Sequence, residues 1–148
     1  MSRHVSLSAT VLLVEDSQDD RQMYAEYLRV CGFRTIEVDN TSDGLALAPT
    51  ADVIVTGIRV RGPFDGVELV RRLRQDPRMR GKLILVLTAS VFEPDPRRAH
   101  AAGCDVFLAK PCLPDTLVSE IRGALKARGV RRRSIARGRR RDRRRDVA

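Results

Sequence analysis

Between positions 10 and 127 a short, β-rich run gives way to a stretch of helical periodicity five times in succession, and this alternation constrains the fold more than any other feature. The runs at 10–14, 35–38, 53–56, 83–87 and 106–109 read as strands, several of them apolar without a break, as strands covered on both faces must be. The first helix is predicted from about residue 18, capped by Ser17, with Met23, Tyr24, Tyr27, Leu28 and Cys31 on one face and Gly32 after its end. A weaker helix covers about 42–48. A third starts near Gly66, burying Val67, Val70 and Leu73 and exposing Arg71, Arg72 and Arg74. The fourth, about 95–102, stops at Gly103, and the fifth opens with Pro114 in its first turn and lines up Leu117, Val118, Ile121, Ala124 and Leu125.

A repeated strand–helix–strand order with short links implies parallel strands joined by right-handed crossovers. The predicted fold class is therefore α/β, a five-stranded parallel doubly wound sheet with helices on both faces. In such sheets ligands sit at the carboxyl ends of the strands, near the point where strand order reverses. Glu15 and Asp16 follow the first strand, Thr88 the fourth and Lys110 the fifth, so an acidic pair, a hydroxyl and an ammonium are expected to converge on one spot.

Charge divides the chain. Up to Ala127, 17 basic residues balance 17 acidic ones, and the last 21 residues carry eleven arginines against two aspartates, which supplies the whole net charge of +9. Residues 1–8 read as an N-terminal extension, 9–127 as the domain and 128–148 as a disordered Arg-rich tail, too poor in apolar groups to offset the entropy of ordering it. Arg128–Ala148 is expected to attract polyanions nonspecifically, or else to be a solvated, coding-biased extension, since arginine outnumbers lysine 25 to 3 throughout. No apolar run reaches the roughly 18 residues of a membrane span and no signal peptide opens the chain, so a cytoplasmic location is expected. Cys31, Cys104 and Cys112 are odd in number and lack metal-ligand spacing; they read as ordinary core or surface residues. His4 and His100 are isolated, and no phosphate-cradling glycine loop occurs.

The segments VLLVEDS at 11–17, DVIVTGIRVRGPFDGVELVRRLR at 52–74, LILVLTAS at 83–90 and AAGCDVFLAKPCLPDTL at 101–117 resemble the receiver domain of bacterial response regulators over about 9–127. The resemblance implies a flavodoxin-like receiver fold in which Glu15 and Asp16, with the Arg59 carbonyl, hold Mg²⁺, Thr88 and Lys110 bind phosphoryl oxygens, and Phe107 is the switch aromatic. It also implies an aspartate at the end of the third strand that takes a phosphoryl group from a kinase histidine. Gly57 stands there. Asp52 lies at the other end of that strand, roughly 16 Å away at about 3.3 Å per residue, and Asp65 sits beyond the following loop.

Without that carboxylate the metal site is a remnant, expected to bind Mg²⁺ weakly or not at all, and Lys110 is expected to pair with Asp16 at an open rim. The expected function is a stand-alone, atypical receiver in two-component or phosphorelay signalling. It would act by phosphorylation-independent contact with a signalling protein, a histidine kinase or a downstream effector, and not as an enzyme. Two alternatives stand beside it. One is a nucleic-acid-associated protein using the basic tail; the other is a conventional phosphorylated receiver, which needs an acceptor the sequence does not show.

Overall fold

The structure, a computed structural model, describes residues 8–129. It contains β1 (Thr10–Val14), α1 (Gln18–Val30), β2 (Arg34–Val38), α2 (Thr41–Leu47), β3 (Val53–Thr56), α3 (Gly66–Gln75), β4 (Leu83–Thr88), α4 (Asp95–Ala102) and β5 (Val106–Ala109). A last helix, α5, covers 114–129. All four strand pairings are parallel and the order is β2-β1-β3-β4-β5, so the doubly wound sheet expected from the alternation is the fold observed. Because β1 is followed by a strand on one side and β3 lies on its other side, the crossovers diverge above the ends of β1 and β3, leaving a crevice there.

The helices sort onto the two faces by the alternation of the strands. Leu12, Val14, Ile54, Ile84 and Val86 pack with Val67, Leu69, Val70 and Leu73 of α3 and Ala99 of α4. Their neighbours Val11, Leu13, Val53, Val55, Leu85 and Leu87 pack with Tyr24, Ala25 and Leu28 of α1 and Leu117, Val118 and Ile121 of α5. Each strand residue turns its side chain opposite to the one before it, so unbroken apolar runs feed both cores.

Local signals place the element ends. Ser17 caps α1 by accepting from the Asp20 amide at 3.3 Å, and Gly103, at φ 111°, stops α4. Asp65 caps α3, and Gly66 follows it because its Cα lies so close to the Gly57 carbonyl that a Cβ would stand 1.7 Å from that oxygen.

Three expectations are corrected. On α1 the buried face is Tyr24, Ala25 and Leu28, while Met23 and Tyr27 are 42% and 37% exposed, because the sheet meets the helix on a narrower stripe than the apolar residues occupy. On α3, Arg74 is not part of a solvated face. Its guanidinium donates to the Gly103 carbonyl (2.8 Å), the Met79 and Lys82 carbonyls (3.2 and 2.8 Å) and the Asp105 carboxylate (2.7 Å). Third, α5 runs past the boundary at 127: Arg128 donates to the Gly81 carbonyl at 2.6 Å and pairs with Asp105 at 2.8 Å. The rest of the Arg-rich tail and residues 1–7 lie outside the described residues, among which no helix is long and apolar enough to cross a membrane.

The remaining arginines of α3 behave as surface groups. Glu68 accepts from Arg71 and Arg72, and these hydrogen bonds hold its carboxyl down to about 2. A depressed carboxyl stabilises the fold above its ordinary value, and that stabilisation is lost as pH falls toward 2. We expect the gap in melting temperature between the natural chain and Glu68→Gln to be open at pH 6 and to close as the pH is lowered from about 4.5 to about 2. A gap that stays constant across that range would refute the assignment.

Candidate functional site

The crevice above β1 and β3 is a cleft of about 340 Å³. Six of the residues singled out in the sequence line it together: Glu15, Asp16, Gly57, Arg59, Thr88 and Lys110. Phe107 lies outside it, packed against the α3–α4 core with its ring 6.1 Å from that of His100 on α4.

Backbone pairing continued past the strand ends puts these groups in place. The Glu15 amide donates to the Val38 carbonyl (3.0 Å), the Gly57 amide to Val14 (3.1 Å) and the Lys110 amide to Thr88 (2.8 Å). Each is one residue beyond its strand, so the ladder fixes its backbone while its neighbours open into loops. Glu15, 6% exposed, forms part of the wall, and one of its carboxylate oxygens accepts from the Ser17 amide at 3.2 Å.

Lys110 does not pair with Asp16. Its ammonium bonds the Glu15 carboxylate and, at 2.6 Å, Asp20 of α1. A buried carboxylate needs a counter-ion more than a half-buried one at the rim does, and Glu15 is the buried member of the acidic pair. Asp20 comes within reach because Ser17 starts the helix at Gln18, which sets Asp20 one turn before Tyr24 on the face that α1 buries. An acidic residue in line with Tyr24 and Leu28 is a sequence signal for such a role, and it was missed. Burial opposes the charge on Lys110, but Asp20 and Glu15 outweigh it, so the ammonium is held above its ordinary pKa.

The expected open rim is therefore corrected as well: the Lys110 side chain is 18% exposed and that of Glu15 8%. Lys110→Ala would leave the Glu15 carboxylate buried without its cation, and we expect a loss of about 2–3 kcal/mol in denaturant unfolding. Adding Glu15→Gln should recover part of it. A loss below about 1 kcal/mol would mean that water replaces the ammonium at no cost.

The other wall joins Thr88, expected from the sequence, to Ser90, Asp95 and Arg98, which the sequence reading does not single out. Thr88, 5% exposed, accepts from the Ser90 amide at 3.0 Å through its hydroxyl. The Ser90 hydroxyl donates to Asp95, which Arg98 also contacts at 2.9 Å; Arg98 reaches on to Asp65, the cap of α3, at 3.0 Å. Ser90 and Arg98 hold the Asp95 carboxyl below its ordinary range. Arg59, 81% exposed along its side chain, stands 3.7 Å from Asp95. This chain of charges ties the loop after β4 and the start of α4 to the start of α3.

Residues 11–122 match the family of the response regulator receiver domain. The chain is 30% identical over 122 residues to the phosphate regulon transcriptional regulatory protein PhoB of Pseudomonas aeruginosa, an alignment that covers 81% of this chain and 53% of that protein. It is 25% identical over 118 residues to the polar-differentiation response regulator DivK of Brucella anthropi, covering 78% of this chain and 95% of that one. Its fold superposes on the chemotaxis response regulator CheY4 of Vibrio cholerae with a TM-score of 0.71 at 28% identity, over 77% of this chain and 96% of that one. The chain thus spans about half the length of its PhoB relative and nearly all of DivK.

Proposed function

The chain belongs to the response regulator receiver domain family, and from that premise we propose that it serves two-component signalling as a receiver that works by protein contact without taking a phosphoryl group. The observation that carries this reading is Gly57. It lines the cleft at the end of β3, where the family's acceptor aspartate is expected, and it brings no side chain. Thr56 cannot replace it: the residue is fully buried and its hydroxyl donates to the Gly57 carbonyl at 2.9 Å. Asp52 accepts from the Thr10 amide at the opposite end of the sheet, and Asp65 caps α3.

The Mg²⁺ that the family resemblance implies does not fit the donors present. Lys110 occupies the Glu15 carboxylate, position 57 supplies none, and among the described residues no three acidic, histidine or cysteine groups cluster to hold a metal ion. What the arrangement can do is hold a surface: Lys110 with Glu15 and Asp20 on one side of the cleft, and Asp95 with Arg98 and Asp65 on the other, fix the loops after β5 and β4 by their own charges. A partner, a histidine kinase or a downstream effector, would then read the α4–β5–α5 face in one standing state.

The test is incubation with a small acyl phosphate and Mg²⁺ followed by intact-mass measurement. No gain is expected, and a gain of one phosphoryl group mapped to Glu15 or Asp16 would overturn the reading.

A further inference from the structure

Lys110 has two carboxylate partners where one would balance its charge, and the second comes from a helix. Asp20 lies in the first turn of α1, where the helix dipole favours a negative group, and its side chain is 39% exposed, so nothing in the packing forces it onto the lysine. One turn further on the same face, the Tyr24 hydroxyl donates to the Cys112 carbonyl at 2.6 Å. Helix α1 therefore grips the segment 110–112 at two points, and one of them is an ion pair. Asp19, adjacent and in the same first turn, makes a comparison built into the chain: it has the same charge and the same helix-end position, but it is fully on the exposed side.

We propose that Asp20 is a positioning residue that takes the place of a carboxylate at position 57 as counter-ion to Lys110, forming a clasp that fastens α1 to the loop after β5 and withdraws Lys110 from anionic ligands in the cleft. An ammonium carries three donors, and Glu15 and Asp20 engage it from β1 and α1 respectively. Two carboxylates at one site repel each other unless a cation stands between them, and the Lys110 ammonium is that cation here. The inference deepens the reading above and rests on it only for the absence of a carboxylate at position 57.

The test reads Lys110 directly. The full chain is treated with limiting acetic anhydride at several pH values, and acylation of Lys110 is measured by peptide mass spectrometry relative to Lys126 in the same molecules. Asp20→Asn and Asp20→Ser should both raise that ratio by about tenfold near pH 8, because each removes a carboxylate that favours the charged ammonium. Serine suits the first turn of a helix, so the second variant guards against a folding defect in the first. Asp19→Asn should leave the ratio unchanged. The proposal is overturned if either Asp20 variant stays within about twofold of the natural chain, or if Asp19→Asn matches them. Because the phosphodonor experiment reads position 57 and these ratios read position 20, the two readings fail separately.

Discussion

Gly57→Asp should gain one phosphoryl group on incubation with a small acyl phosphate and Mg²⁺, under conditions that leave the natural chain unmodified. The backbone at Gly57 has no left-handed conformation to protect, and a Cβ there would meet only Val60 Cγ2 at 3.2 Å and the Leu87 carbonyl at 3.7 Å. A small rotation of the Val60 side chain relieves the closer contact, so the variant should fold with a cost of about 1 kcal/mol or less. The introduced carboxylate would join Glu15 and Asp16 in the cleft, offering a hard cation a third carboxylate. It would also compete with Asp20 for Lys110. Phosphorylation of Gly57→Asp should therefore be slower than that of Gly57→Asp/Asp20→Asn, in which the ammonium is released toward the cleft. Time courses of intact mass, with the site mapped by peptide analysis, check both statements. If neither variant is modified, the cleft has lost more than its acceptor, and the loops fixed by Lys110 and Asp95 are then the first candidates for what blocks it.

The largest loss of stability outside the apolar core should come from Arg74→Ala. One planar guanidinium there satisfies carbonyls from the residue that ends α4 (Gly103), from the turn after α3 (Met79) and from the residue before β4 (Lys82), and it pairs with Asp105 before β5. Asp105 in turn accepts from the Ile84 amide at 2.8 Å and holds Arg128 of α5. Removing the guanidinium strands several partly buried acceptors at once, and we expect a cost of about 2–4 kcal/mol in urea unfolding. Arg74→Lys should recover little of it, since a single ammonium cannot span the positions that the fork of nitrogens reaches. Arg72→Ala, two residues away, removes an exposed pair with Glu68 and a stacking contact 4.1 Å above the Phe64 ring; its cost should stay near or below about 1 kcal/mol. Equal losses at 72 and 74 would show that Arg74 is no hub.

The contrast between these two arginines marks how far the sequence reaches. Strand positions, the Ser17 cap, the stop at Gly103, the parallel order and the convergence of Glu15, Asp16, Thr88 and Lys110 were all legible, because each follows from a local period, a capping residue or the rule that parallel strands end on one side. The absence of a carboxylate at the end of β3 needs no structure at all. What only the tertiary structure decided is which group stands opposite which. Lys110 turns to Glu15 and Asp20 in place of Asp16, Arg74 turns inward while Arg71 and Arg72 stay in solvent, and Met23 and Tyr27 remain partly exposed on an α1 whose buried stripe is narrower than its apolar one. Arg128 joins the domain through Asp105, a partner 23 positions away in the chain. A side chain's periodicity says which face of its own element it occupies; its partner is set by the packing of a second element whose distance and rotation no local pattern records. Long charged side chains feel this most, because a flexible stem lets them reach any of several acceptors, and burial of one acceptor, as at Glu15, is what selects among them.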